Sequence, residues 1–302
     1  MQRRTEFPDV PFTASQARRW GWRQDELTAA VQERRLVRPL MGVYLRADVE
    51  LDELTRTQAA ALVISPHTVV CDRTAAWVHG VDVFRYAEID VLPPLETYVL
   101  RGHRATERPE CDGGTRDLQP RDWVVIGGIR VTTPVRTALD LGCKLPRREA
   151  IAAMDALMRE HGFTVADLVR ELPRYFRRRG VVQLRQLVPL VDGLAESSGE
   201  SWTRLEIADH GLPIPVAQHW VNVDGVPTYR LDLAYPHARI AIEYDGEQFH
   251  SRPEDRERDN LRRQWLRDHG WRVIVVDKTS FTDEAASAWV GELRGYLGLG
   301  AA

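Results

Sequence analysis

The sequence predicts a multidomain chain of α+β and α/β character in three parts: a winged helix-turn-helix over residues 1–50, an irregular α+β middle region over 51–192, and a C-terminal domain over 193–302. Three observations predict it. Near the N-terminus, two short helical patterns are separated by Gly21 and followed by a β-ribbon. Residues 85–125 are rich in Gly, Pro and Arg, with only brief β-like runs. Near the C-terminus, the stretch from Arg230 to His250 puts Asp232 on one short apolar run and Glu243 and Asp245 at the end of the next, with Gly246 and His250 directly after. A chain of 302 residues can hold two or three domains, each with its own core.

Bulk properties narrow the function classes. The net charge of −3, from 41 basic and 44 acidic residues, is no argument against a nucleic-acid partner, because the charge is segregated along the chain. The basic residues are almost all arginine; Lys144 and Lys278 are the lysines. A transmembrane helix would need about 18 or more consecutive apolar residues, and there is no such run, so no membrane partner is expected. The N-terminus shows no apolar core of a signal peptide, so a cytoplasmic location is expected. Cys71, Cys111 and Cys143 are far apart and read as small buried residues rather than a zinc site or a disulfide framework.

The N-terminal elements follow from their punctuation. Thr13 is an N-cap candidate for a short helix that ends at Gly21. A second helix is expected over about 24–35, with Leu27, Val31 and Leu36 at core spacing, and two short strands flank Met41-Gly42. In a winged helix the second helix enters the major groove and flanking basic residues hold phosphates. Arg18, Arg19, Arg34, Arg35 and Arg38, with Arg23, are the candidates here. The alternative is a solvated helical hairpin whose arginines bind nothing.

In the middle region Thr133 should cap a helix with Pro134 at its first position, where a missing N–H costs nothing. β-like runs are expected at 88–92 and 122–126, and helices at about 147–160 and 164–171. His67, His79 and His103 lack metal-ligand spacing and read as structural. The segment 170–180 carries Arg170, Arg174, Arg177, Arg178 and Arg179 with Tyr175 and Phe176 interleaved. Such a segment can grip phosphates and stack bases, or be a helix end with both aromatics buried beneath it. Asp192 to Gly199 reads as a linker.

The last domain is the most legible. A helix at about 200–210 precedes a strand near 216–223, a turn at Asp224-Gly225, strands at 229–235 and 239–244, a charged helix near 254–268, a strand at 271–276 and a closing helix. An α-β-β-β-α-β-α order is that of the PD-(D/E)xK, or restriction-endonuclease-like, nucleases. Phosphodiester hydrolysis in such a site needs Mg²⁺ or Mn²⁺ on oxygen ligands with positions left for water and phosphate. Asp232 and Glu243 offer carboxylates from neighbouring strands, and Asp245 has the parity to join Glu243. Gly246 allows a sharp exit, and His250 is close enough to serve as acid/base or ligand. Asp245 stands where that motif usually ends in lysine. His250, Arg258 and Arg262 are better placed in sequence than Lys278 to supply a substitute.

Two resemblances sharpen this reading. The layout up to Arg38-Pro-Leu-Met-Gly-Val-Tyr44, then residues 68–80 and 128–141, resembles AbiEi-type antitoxins of type IV toxin–antitoxin systems. Residues 196–298 resemble the DUF559 group and the very-short-patch-repair (Vsr-like) endonucleases: Asp232, Asp245, Gly246 and His250 fall on their motif, joined by Glu243, by Asp259 and Arg262, and by Gly270-Trp-Arg-Val-Ile274. That resemblance implies Asp232, Glu243, Asp245 and His250 as catalytic residues, with Glu200 completing a metal shell formed by Asp232, Glu243 and Asp245. Arg262 joins the basic residues expected to face DNA. The expected function is a metal-dependent DNA endonuclease in phage defence, DNA repair or a toxin–antitoxin setting. The alternatives are a non-catalytic DNA-binding regulator of the AbiEi type with a degenerate nuclease fold, and a nuclease acting on RNA or branched DNA. Besides DNA, the candidate partners are a second copy of the chain and a cognate toxin or other defence-system component.

Overall fold

The computed structural model describes residues 6–64, 67–83, 94–104, 111–246 and 253–299. It is a mixed α and β chain that divides into two compact units, residues 1–141 and 142–302. The expected run at 88–92 and His250 lie outside the described residues.

The first unit opens with β1 (Phe12–Thr13), α1 (Ala14–Arg19), α2 (Gln24–Gln32), β2 (Leu36–Leu40) and β3 (Val43–Arg46). Thr13 caps α1 through a reciprocal pair with Gln16: the Gln16 N–H donates to Thr13 Oγ1, and the Thr13 N–H donates to Gln16 Oε1. The three strands form an antiparallel sheet in the order β1-β3-β2, closed over Phe12, Leu27, Leu36 and Tyr44. Helix α2 stops earlier than its pattern suggests. Arg34 takes a left-handed φ of 57°, and the Arg35 N–H bonds back to the Ala30 carbonyl, the wrap that ends a helix.

The same unit continues with α3 (Glu53–Ala61), β4 (Thr68–Val70), α4 (Asp72–Val78), β5 (Leu95–Leu100), β6 (Cys111–Arg116), β7 (Trp123–Ile126), β8 (Ile129–Thr132) and α5 (Pro134–Lys144). The five strands run in the order β6-β5-β4-β8-β7, and Thr133 Oγ1 accepts the Arg136 N–H at the start of α5. The unit also holds a buried charge network. Arg116 reaches Asp72 and Asp140, and Arg136 reaches Asp140 and Asp122. Every buried charge in it has an opposite partner, as a structural network requires.

The second unit begins with α6 (Arg147–His161), α7 (Val165–Glu171) and α8 (Val181–Leu187). Then come α9 (Ser198–Asp209), β9 (Val216–Val223), β10 (Val226–Tyr235), β11 (Ile240–Asp245), α10 (Pro253–Asp268), β12 (Arg272–Asp277) and α11 (Asp283–Tyr296), the element order expected from the sequence. The sheet order is β12-β11-β10-β9. Strands β9, β10 and β11 are antiparallel neighbours, whereas β12 returns parallel to β11 after the α10 crossover. The β9–β10 turn has both Asp224 (φ 51°) and Gly225 (φ 81°) in the left-handed region, which glycine adopts freely and aspartate tolerates. One face of the sheet packs on α9 and α11 through Ile207, Leu233, Ile242, Trp289 and Leu293; the other packs on α10 through Leu231, Ala241 and Leu266.

The expected linker before α9 is tied down. The Asp192 N–H donates to Asp155 Oδ1, and the Asp155 carboxylate accepts Arg204 of α9 in a pair whose side chains are 1% and 2% exposed. Burial pushes the Asp155 carboxyl up to about 6 against the pull of that guanidinium.

Candidate active site

The carboxylates gather where the β10–β11 ladder ends. Residue pairing runs from Tyr235–Ile240 to Leu233–Ile242. Beyond the last paired residues, the Tyr244 N–H donates to Asp232 Oδ2 at 2.9 Å. The Asp232 side chain thus links β10 to β11 past the end of their pairing, where the two strands part beside Glu243. Burial pushes the Asp232 carboxyl up to about 6, and the nearby Glu200 and Glu243 push it the same way, against the Tyr244 N–H and Arg262.

Glu243 is the most enclosed of the group, at 1% exposure. Its Oε2 accepts from Arg262 at 2.9 Å and from Arg263 at 3.3 Å, both on α10. Its Oε1 is buried with no hydrogen-bond partner. An unpartnered carboxylate oxygen at that depth is costly unless something positive meets it. Asp245 lies at the rim, its side chain about half exposed (48%), and accepts from the same Arg263 at 2.9 Å.

Glu200 enters from the first turn of α9. Its carboxylate accepts from the Ser197 hydroxyl, the Glu196 N–H and the Gln218 amide at 2.8–3.0 Å. Gly199 beside it has no room for a side chain: a Cβ there would lie 2.1 Å from the Tyr244 ring. That close approach is how α9 reaches the strand carrying Glu243. Gly246 has no left-handed φ, so its lack of a side chain matters only for the nearby Tyr244 ring, 3.1 Å from where a Cβ would sit.

Gln218 is a site residue that sequence reasoning missed. It sits in β9 between Ala217 and His219, which pair with Leu233 and Leu231, so it lies across from Asp232. It holds a φ of 51° in mid-strand, a conformation that costs a non-glycine residue about 1–2 kcal/mol. Its amide nitrogen holds Glu200, and its Oε1 is buried without a partner. Strain of that kind is favoured at functional sites. The run that carries it also holds His219 and Asn222, so nothing in the sequence singles Gln218 out.

The other sequence-predicted residues divide. Arg262 is turned onto Glu243 and the Arg230 carbonyl, with Asp259 3.9 Å away, so it belongs to the carboxylate cluster. Arg18, Arg19, Arg34, Arg35 and Arg38 are exposed, Arg35 beside Glu33 and Arg38 over the Tyr44 ring. In the arginine-rich segment Tyr175 is buried and Phe176 is 66% exposed. Arg178 lies over the first ring and Arg177 over the second, Arg174 pairs with Glu171, and Arg179 is exposed. His79 is buried on the Thr132 carbonyl, and His67 stacks on His103. None of the three cysteines is in a disulfide.

The donor set suits a hard divalent cation: carboxylate oxygens from two parted strands, one of them buried and unpartnered. Among the described residues, no three Asp, Glu, His or Cys side chains already converge as a ligand cluster.

Comparison with known proteins agrees with this layout. Residues 68–190 match the AbiEi antitoxin C-terminal domain, and residues 216–291 match the REase_MTES_1575 domain, which is restriction-endonuclease-like. Two uncharacterized proteins of Mycobacterium tuberculosis, from two strains, are each 34% identical to the chain over 260 residues, covering 84% of this chain and 90% of theirs. The chain therefore belongs to one family with these mycobacterial proteins, and this chain joins an AbiEi antitoxin domain to a restriction-endonuclease-like domain.

Proposed function

We propose that the protein is a metal-dependent DNA endonuclease whose N-terminal helices and ribbon act as a winged helix that brings it to DNA. The observation that carries this reading is the buried, unpartnered Glu243 Oε1 beside Asp232, on strands that part there. Asp232 and Glu243 would hold Mg²⁺ or Mn²⁺, with Glu200 and Asp245 as further candidate ligands. A cation so held would polarise the phosphodiester and lower the pKa of a bound water. Within this chain, the Tyr244 N–H orients Asp232, the two α10 guanidiniums orient Glu243, and Gln218 orients Glu200. The PD-(D/E)xK class of fold is supported by the α9-β9-β10-β11-α10-β12-α11 order and by the antiparallel-then-parallel sheet. The AbiEi-type domain makes a toxin–antitoxin or phage-defence setting the natural context, with a cognate toxin as a candidate partner.

The test is incubation of the purified protein with supercoiled plasmid and Mg²⁺ or Mn²⁺. The wild type is expected to nick or cut, and Asp232→Ala to lose about 100-fold or more, because metal stabilisation is worth several kcal/mol. Cutting that survives Asp232→Ala removes the site. A wild type that never cuts but shifts a specific promoter fragment in a gel makes the protein a regulator instead.

A further inference from the structure

Asp245 and Arg263 form a unit that the sequence pattern does not reveal. Arg263 lies in the second half of α10 with its side chain 15% exposed, and its guanidinium spans both acidic residues at the end of β11. Nη2 donates to Asp245 Oδ2 at 2.9 Å, and Nε donates to Glu243 Oε2 at 3.3 Å. Glu243 therefore has one oxygen committed to guanidiniums and the other, Oε1, buried and uncommitted. The site thus distinguishes the two oxygens of one carboxylate. Asp245 stands at the rim with an oxygen on Arg263, one of the two guanidiniums that hold Glu243.

We infer that Arg263 is a positioning residue: it clamps Glu243 by Oε2 so that Oε1 faces the cation position, and Asp245 anchors Arg263 instead of binding the cation itself. This rests on the metal-site reading above and deepens it, keeping Asp232 and Glu243 as the ligands and taking Asp245 out of the candidate set. The physical reason is the difference between a ligand and its support. A ligating carboxylate must be held by a further hydrogen-bonded group, and loss of that group costs metal affinity without removing a ligand. Asp245 on its own could be either. Shared with Glu243 through one planar, always-charged guanidinium, it is placed to fix the donor geometry. Arg263 is then the cation that stands beside Asp245 at the strand end, the position for which sequence alone offered His250, Arg258 and Arg262.

The experiment is Mn²⁺ binding by calorimetry on the full chain for wild type, Asp245→Ala, Arg263→Ala, Arg263→Lys and the Asp245→Ala/Arg263→Ala double variant. Urea melts of the same metal-free proteins accompany it. The two alanine variants are expected to lose affinity equally, by about 10-fold, with the double variant no worse than either and Arg263→Lys between them and wild type. In the metal-free melts the double variant should lose less than the sum of the singles. Three results overturn the inference. Tighter Mn²⁺ binding by Arg263→Ala makes the guanidinium a competitor; an Asp245→Ala affinity far below that of Arg263→Ala makes Asp245 a ligand; and losses that multiply in the double variant make the two residues independent. A wild type that takes up no Mn²⁺ removes the metal reading and this inference with it. The metal-free coupling separates the two failures, because it reports the Arg263–Asp245 link whether or not a cation binds.

Discussion

At the scale of single residues, Asp232 records the cost of building the site. Its carboxyl, normally near 3.8, is pushed to about 6 by burial and by the neighbouring glutamates. Between those two values the native state holds a proton that the unfolded chain has released, so stability falls as pH rises through that window. Asp232→Asn removes this loss. In metal-free thermal melts it is expected to leave the midpoint little changed below about pH 4 and to raise it above about pH 6, while abolishing cleavage. An Asn variant that melts lower than wild type at neutral pH would mean that the Asp232 charge is net stabilising and that the carboxylates do not strain the fold. The carboxylates themselves were legible in the sequence because strand parity and a shared sheet edge are local properties. Gln218 and Arg263 were not. A left-handed residue in mid-strand leaves no compositional mark, and α10 carries so many arginines that its sequence does not say which one reaches β11.

Elements explain how the site keeps its shape. Most of them followed from local signals: Thr13, Thr133 and Gly270 punctuate helices, and Asp224-Gly225 marks the hairpin. Those missed depend on tertiary context. Strand β6 reads Cys-Asp-Gly-Gly-Thr-Arg, with no apolar alternation, and exists because β5 supplies a parallel partner; α8 is a seven-residue helix held by its neighbours. The placement of α9 was equally hidden. Arg204 of α9 and Asp155 of α6 are nearly 50 residues apart in sequence and meet out of water, while Arg147 and Arg148 add pairs to Asp209 and Glu206. This pairing sets the angle at which α9 delivers Glu200 and packs Gly199 on Tyr244. Breaking it should be far worse than replacing it. Arg204→Ala is expected to cost about 3–5 kcal/mol, because it leaves Asp155 buried without its cation, whereas the double change Asp155→Leu/Arg204→Met should fold with nearly wild-type stability. Urea denaturation of the three proteins checks this. An Arg204→Ala protein within about 1 kcal/mol of wild type would show that water reaches the pair.

On the scale of the whole molecule, the family boundaries and the compact units do not coincide. The AbiEi match covers residues 68–190, yet the chain divides at 141/142, so α6, α7 and α8 share a unit with the restriction-endonuclease-like domain. Helix α6 supplies the buried partner of Arg204, and the connection between α7 and α8 carries the exposed Phe176, Arg177 and Arg179. The unit from 142 onward should therefore be self-sufficient in folding and in catalysis, and should retain a phosphate-binding surface of its own. A fragment of residues 142–302 is expected to unfold in one cooperative transition and to cut plasmid with Mn²⁺. Without the N-terminal helices and ribbon it should show no preference among DNA sequences. A fragment of 193–302 loses α6 and exposes Arg204 and the inner face of α9, so it should melt much lower or not fold. Arg177→Ala and Arg179→Ala in the longer fragment should each flatten the dependence of log affinity on log salt by about one unit or less, because each removes one phosphate contact. If the shorter fragment folds and cuts as well as the longer one, α6 is dispensable and the domain begins where the restriction-endonuclease-like match does. If the salt slope does not move in either variant, DNA follows another surface of this unit.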